Sequence, residues 1–144
     1  MATGSMQGAV PSAPLADWAD LLARIALAAI FLWSGVDKFV QADVNIAYMN
    51  AYHVPMAGAL VLVSGAFEVG AGAMLAAGWK ARWAALALAA FSVFVALIFH
   101  AFWSAPAEQA LNQAVHFMKN VAMAGGLLHV FAHGAGRYAL EKSR

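Results

Sequence analysis

The chain has 144 residues, of which 64% are hydrophobic and only 10% charged, with a formal net charge of +1. A soluble domain carries about a quarter charged residues, so this composition excludes a globule covered by water. The scattered basic residues exclude a nucleic-acid partner, and the absence of cysteine excludes disulfides, thiol catalysis and thiolate metal sites.

Residues 1–17 read as a mobile tail. Met1 to Pro14 are small, polar and proline-bearing, without the basic start and cleavage pattern of a signal peptide. The membrane domain follows over residues 18–136, with apolar spans at about residues 21–40, 56–78, 83–103 and 114–133. Each is near the roughly 20 residues that cross a hydrocarbon core, and helix satisfies the backbone of a segment in lipid. The expected fold is an all-α integral membrane protein, a four-transmembrane-helix antiparallel bundle with no room for a second domain.

The connections set the orientation. "QADVNIAYMNAYHVP" after the first span and "SAPAEQALNQ" after the third contain no Lys or Arg. The tight turn after the second span holds Lys80 and Arg82, and the basic tail over 137–144 holds Arg137, Lys142 and Arg144. By the positive-inside rule the N- and C-termini are cytoplasmic and the two longer connections face outward. In those connections, residues 45–52 fit a short interfacial helix, and Ser104 and Pro106 fit the start of a helix running into the fourth span. Tyr48, Tyr52, Phe102 and Trp103 suit an outer aromatic belt.

Glu68 lies near the middle of the second span, in "SGAFEVGAGAML". A charge there costs at least ~2.5 kcal/mol unless compensated. Gly58, Gly65 and Gly72 recur at seven-residue spacing on its helix, so a neighbouring helix packs close and Glu68 turns inward. On the fourth span His116, Lys119, Asn120 and Met123 share one stripe. Lys119 is the expected partner of Glu68, with His100 of the third span and His116 close by. Ser34, Asp37 and Lys38 of the first span stand at the same outer level, while Arg24 snorkels at the cytoplasmic end.

Plainer readings stand beside this one. A Glu–Lys pair can merely fix helix register, and Asp37 and Lys38 can be a solvated helix end. His129 and His133 have the spacing of a metal pair but fit polar capping residues. His100 and His116 could hold a haem if they met at one depth with space between them.

The segments "RIALAAIFLWSGVDKF", "YMNAYHVP", "SGAFEVGAGAMLAAGWKARWAAL", "LIFHAFW" and "HFMKNVAMAGGLL" carry a resemblance to the DoxX family of small four-helix bacterial membrane proteins. Arg24, Gly35, Lys38, Glu68, Gly72, His100, His116, Lys119 and Asn120 fall on that family's polar and glycine positions. The resemblance implies the bacterial inner membrane and a redox or detoxification pathway. The family takes its name from a subunit of an archaeal thiosulfate:quinone oxidoreductase, and other members resemble partners of detoxifying and sulfur-transfer enzymes. For a chain without cysteine it implies a quinone-like ligand, a partner oxidoreductase and, as a further possibility, a homo-oligomer. In that reading Glu68, Lys119, His116 and His100 act on the ligand; Lys38, Ser34, Asn120, Trp103 and Phe31 bind it, with no metal or haem. A proton-coupled transporter using Glu68 and Lys119, or a membrane anchor for a soluble enzyme, are the rival functions.

Overall fold

The computed structural model describes residues 14–141. It is built of helices α1 (Pro14–Val40), α2 (Ala42–Ala51), α3 (Ala57–Ala77), α4 (Ala81–Phe99) and α5 (Ala107–His133), with a 3-10 turn at Phe102–Ser104 before α5. No strand occurs among the described residues. Pro14 to Asp17, expected in the tail, already belong to α1; residues 1–13 lie outside the described residues.

Among the described residues three segments are long and apolar enough to cross a membrane: Pro14–Val40, Ala57–Ala77 and Ala81–Ser104. Helix α5 is as long as α1, at 27 residues, but its first half carries Glu108, Gln109, Asn112, Gln113, His116, Lys119 and Asn120. The two connecting helices expected from sequence are present. Helix α2 covers the first connection, and α5 begins at the N-cap Pro106 and runs unbroken through the last apolar stretch.

Local chemistry sets the turns. Helix α3 stops at Gly78, which takes φ 71°. The Gly78 N–H donates to Leu75 O at 3.1 Å and the Trp79 N–H to Met74 O at 3.0 Å, the paired bonds that close a helix on a left-handed glycine. Helix α4 starts three residues later and therefore lies antiparallel to α3. Helix α1 packs chiefly on α3 and α5 on α4, whereas α1 and α5 touch little. Ala28, Phe31, Ala71, Leu75, Leu88 and Leu127 form the core where these layers meet. Exposed Trp18, Trp79 and Trp83 ring the end that carries Lys80 and Arg82, and exposed Tyr48, Phe102 and Trp103 mark the other, the placement such rings take at membrane interfaces.

The C-terminal segment is more than a basic tail. Residues 134–141 fold back as a strap across the end of the bundle where α1 begins and α3 stops. Leu140 and Glu141 donate their N–H groups to Ala77 O and Gly78 O at 3.1 and 3.2 Å, and the Lys80 N–H donates to Glu141 Oε2 at 2.9 Å. The strap thus satisfies carbonyls that the end of α3 leaves unpaired. Tyr138 packs on Trp18 with centroids 4.9 Å apart and the rings tilted by 38°, and Arg137 lies 3.5 Å from Asp17. Lys142 and Arg144 lie outside the described residues.

Arg24 does not snorkel to water, as the sequence suggested. It is 1% exposed, shut in by the strap, and donates from Nη2 to Tyr138 O. Hydrogen bonds from a charged donor contribute roughly 1.5–3 kcal/mol. Replacing Arg24 with Met should therefore speed amide exchange at Leu140 and Glu141 about tenfold or more. Unchanged protection there would mean that the α3 carbonyls hold the strap without Arg24.

Candidate functional site

Two glycines build the centre of the molecule. A Cβ on Gly35 of α1 would stand 2.8 Å from Gly65 O and from Val69 Cγ2, and 3.0 Å from Glu68 Cβ. The α1 and α3 backbones are therefore nearly in contact, which only small residues permit. The glycine stripe faces inward as expected, but its partner is α1: Gly65 meets Gly35, Lys38 and Phe39, and Gly72 meets Leu32 and Ala28.

This contact decides the partner of Glu68. A helical side chain leans toward its own N-terminus, so Lys38 runs back down α1 past Ser34. Its ammonium donates to Ser34 Oγ at 2.8 Å and to Glu68 Oε2 at 2.7 Å. The pair is nearly dry, with side-chain exposures of 13% for Lys38 and 5% for Glu68. An ammonium has three N–H donors; among the described residues only two of those of Lys38 have acceptors. Just outward, Asp37 accepts hydrogen bonds from Gln41 Nε2 at 2.7 Å and Asn45 Nδ2 at 3.1 Å. That network fastens α2 to the end of α1 beside the pair.

The expected Glu68–Lys119 pair does not form. Lys119 is exposed on α5, lining a shallow groove with Ala114, Val115, Met118 and Ala122. Depth along the chain matched Lys119 to Glu68, but α3 and α5 run in the same direction and do not pack on one another. Helix α5 packs on α4, and Lys38 already occupies the seam where Glu68 points.

The histidines form a separate cluster at the end of the bundle opposite the strap, the outer cluster. The His100 and His116 rings stack with centroids 5.1 Å apart and planes inclined by 21°. Ring nitrogen lone pairs lie in the ring plane, so faces stacked in this way do not converge on one metal. His100 Nδ1 donates to Gln113 Oε1 at 2.9 Å, and Gln113 Nε2 reaches the Tyr52 hydroxyl at 3.5 Å. Tyr48, Tyr52 and Phe99 pack ring against ring beside them; burial, then the Tyr52 hydroxyl, push the Tyr48 phenol up, so it stays neutral. Phe67, next to Glu68, meets Phe91 of α4. His100 lies nine residues farther out, about 13 Å at the α-helical rise. The histidines are therefore not in the pocket of Glu68, contrary to expectation.

The remaining candidates divide in the same way. Ser34 and Lys38 sit with Glu68. Asn120 donates to the His116 carbonyl of its own helix at 3.0 Å. Trp103 is 60% exposed and contacts Phe102 and Phe117 at the outer end. Phe31 is in the core. At the inner end His133 Nδ1 meets His129 O at 3.0 Å, a local bond within α5. Sequence reasoning missed Gln113 and Tyr52 as the link across the outer cluster. It also missed a usable signal for the pair: glycine three residues before Lys38 and again three residues before Glu68.

Comparison with known proteins agrees with the membrane setting. Residues 19–101 match the family model described as DoxX. The chain is 28% identical over 122 residues to inner membrane protein YphA of Escherichia coli K12, spanning 85% of this chain and 87% of that protein. It is 30% identical over 128 residues to inner membrane protein YqjF of the same organism, spanning 89% and 93%. No solved structure matches significantly.

Proposed function

The chain belongs to the DoxX family of inner-membrane proteins, and from that premise we propose that it binds a quinone-like lipophilic molecule in the outer half of a four-span bundle and serves a partner oxidoreductase in a redox or detoxification pathway. One observation carries this reading: the nearly dry Lys38 ammonium holds Ser34 and Glu68 and, among the described residues, has no acceptor for its third N–H.

An oxygen acceptor on an apolar ring suits that donor. A quinone, when bound, supplies two carbonyl oxygens and accepts electrons together with protons. Lys38 would hold one carbonyl oxygen by its third N–H. Glu68 balances the ammonium and holds or releases a proton at its carboxylate beside it. Phe39, which packs against Gly65, gives the ring an apolar neighbour. Below the pair the packed core of Ala28, Phe31, Ala71, Leu75 and Leu127 argues against a polar path to the other side, and so against a transporter.

In this reading α5 is the fourth span, with its polar first turns outside the hydrocarbon. Lys80, Arg82 and the strap, and with them both termini, face the cytoplasm. A cysteine at Asn50 should then react with a membrane-impermeant thiol reagent in intact cells, and one at Ala81 should not; the reverse pattern turns the molecule over.

The ligand is tested by solvent extraction of the protein purified in mild detergent, followed by mass analysis. A ring-bearing carbonyl compound should be recovered in stoichiometric amount from the wild type and be lost from Lys38→Met. Recovery of bulk phospholipid alone from the wild type would remove the support for this function.

A further inference from the structure

Lys119, released from the role the sequence suggested, leaves a cation without an explanation. Its helix places it. His116 stacks on His100 at the end of α4, and α4, with 19 residues, is about as long as a hydrocarbon core is thick. Lys119 is three residues farther in, about 4.5 Å below that outer edge. A lysine at this depth can extend its stem along apolar surface and return its ammonium to the interface.

The surface around it is built for a chain-like apolar neighbour. Seven residues inward on the same face of α5, Gly126 is covered by Leu27 of α1. Outward of that contact, Ala114, Val115, Met118, Lys119 and Ala122 line a shallow groove of about 420 Å³ on the surface of α5. Between Ala107 and His133 the one acidic residue is Glu108, about 16 Å from Lys119 along the helix. An anion held by Lys119 therefore comes from outside the helix.

We propose that this groove on α5 is a binding site for an anionic phospholipid, with the lipid phosphate on Lys119 Nζ and an acyl chain along Val115, Met118 and Ala122. A two-fold contact of a second copy centred on this groove would bring Lys119 close to its own symmetry mate. A polar headgroup with two acyl chains matches both the cation and its apolar groove. This site is independent of the proposed quinone-like ligand, which takes its donor from Lys38.

The test is native mass spectrometry of the purified protein released from nanodiscs of mixed phosphatidylglycerol and phosphatidylcholine, run beside Lys119→Gln and Lys119→Arg. Phosphatidylglycerol should be retained in preference to phosphatidylcholine by the wild type and by Lys119→Arg. Lys119→Gln should reduce that preference about fivefold, the worth of one interfacial cation to an anionic lipid. Inorganic phosphate added at the same concentration should not compete. Equal preference in wild type and Lys119→Gln overturns the site. So does competition by free phosphate, or a dimer trapped by disulfide through Ala122→Cys, which would give the groove to another occupant. Because Lys119 is exposed, both variants should fold. Loss of the quinone-like compound from Lys119→Gln with phosphatidylglycerol retained would likewise sink the lipid site.

Discussion

Lys38→Met should destabilise the protein by about 3–5 kcal/mol, the usual cost of stranding one member of a buried ion pair. The cause is the dryness of the α1–α3 seam: without Lys38, Glu68 has no cation within reach, and it is only 5% exposed. Adding Glu68→Gln should restore most of the loss, because a neutral amide beside a methionine leaves no charge uncompensated. Thermal unfolding in detergent of the wild type, both single variants and the double variant measures the coupling directly. If the two single losses add, the side chains do not stabilise one another and the pairing is wrong. Ligand recovery should stay lost in the restored double variant, since its donor is gone; full recovery would leave Glu68–Lys38 a structural pair alone. Lys119→Met is the control and should change stability by no more than about 0.5 kcal/mol.

The second large effect belongs to a residue with no side chain. Gly35→Val should cost about 3 kcal/mol, at the upper end of overpacking changes. Even the first added carbon would lie 2.8 Å from Gly65 O, a backbone atom that cannot turn aside, so α1 and α3 must separate. Separation also lengthens the reach from Lys38 to Glu68, and both the melting temperature and ligand recovery should fall. Gly70→Ala is the comparison. A Cβ there meets nothing within 4 Å, and its effect should stay within about 0.5 kcal/mol. Equal tolerance at the two glycines would show that close approach of α1 and α3 does not hold the seam together.

The family and the membrane setting were legible in the chain itself, for physical reasons. Apolar runs of span length with so few charges have no stable place in water, and their backbone forces helix. The inward turn of Glu68 was legible too, because the seven-residue glycine repeat marks one face of α3 for close packing. Both connecting helices could be read from the polar connections and the Ser104–Pro106 start.

Which helix meets that glycine face is not written in any one segment. Lys38 and Lys119 were both lysines near the outer level of their helices, and depth along the chain could not separate them. Rotation about each helix axis separates them, and that rotation is set only when Gly35 docks on Gly65 and α5 docks on α4. The same docking divides the expected single pocket into a dry ion pair and an outer histidine cluster about 13 Å farther along α4. The strap followed the same logic. Its sequence shows a short, partly basic tail, yet the unpaired carbonyls at the end of α3 and the buried guanidinium of Arg24 draw it back onto the bundle. Hydropathy and periodicity fix what a helix must bury; only the packed partners decide against what.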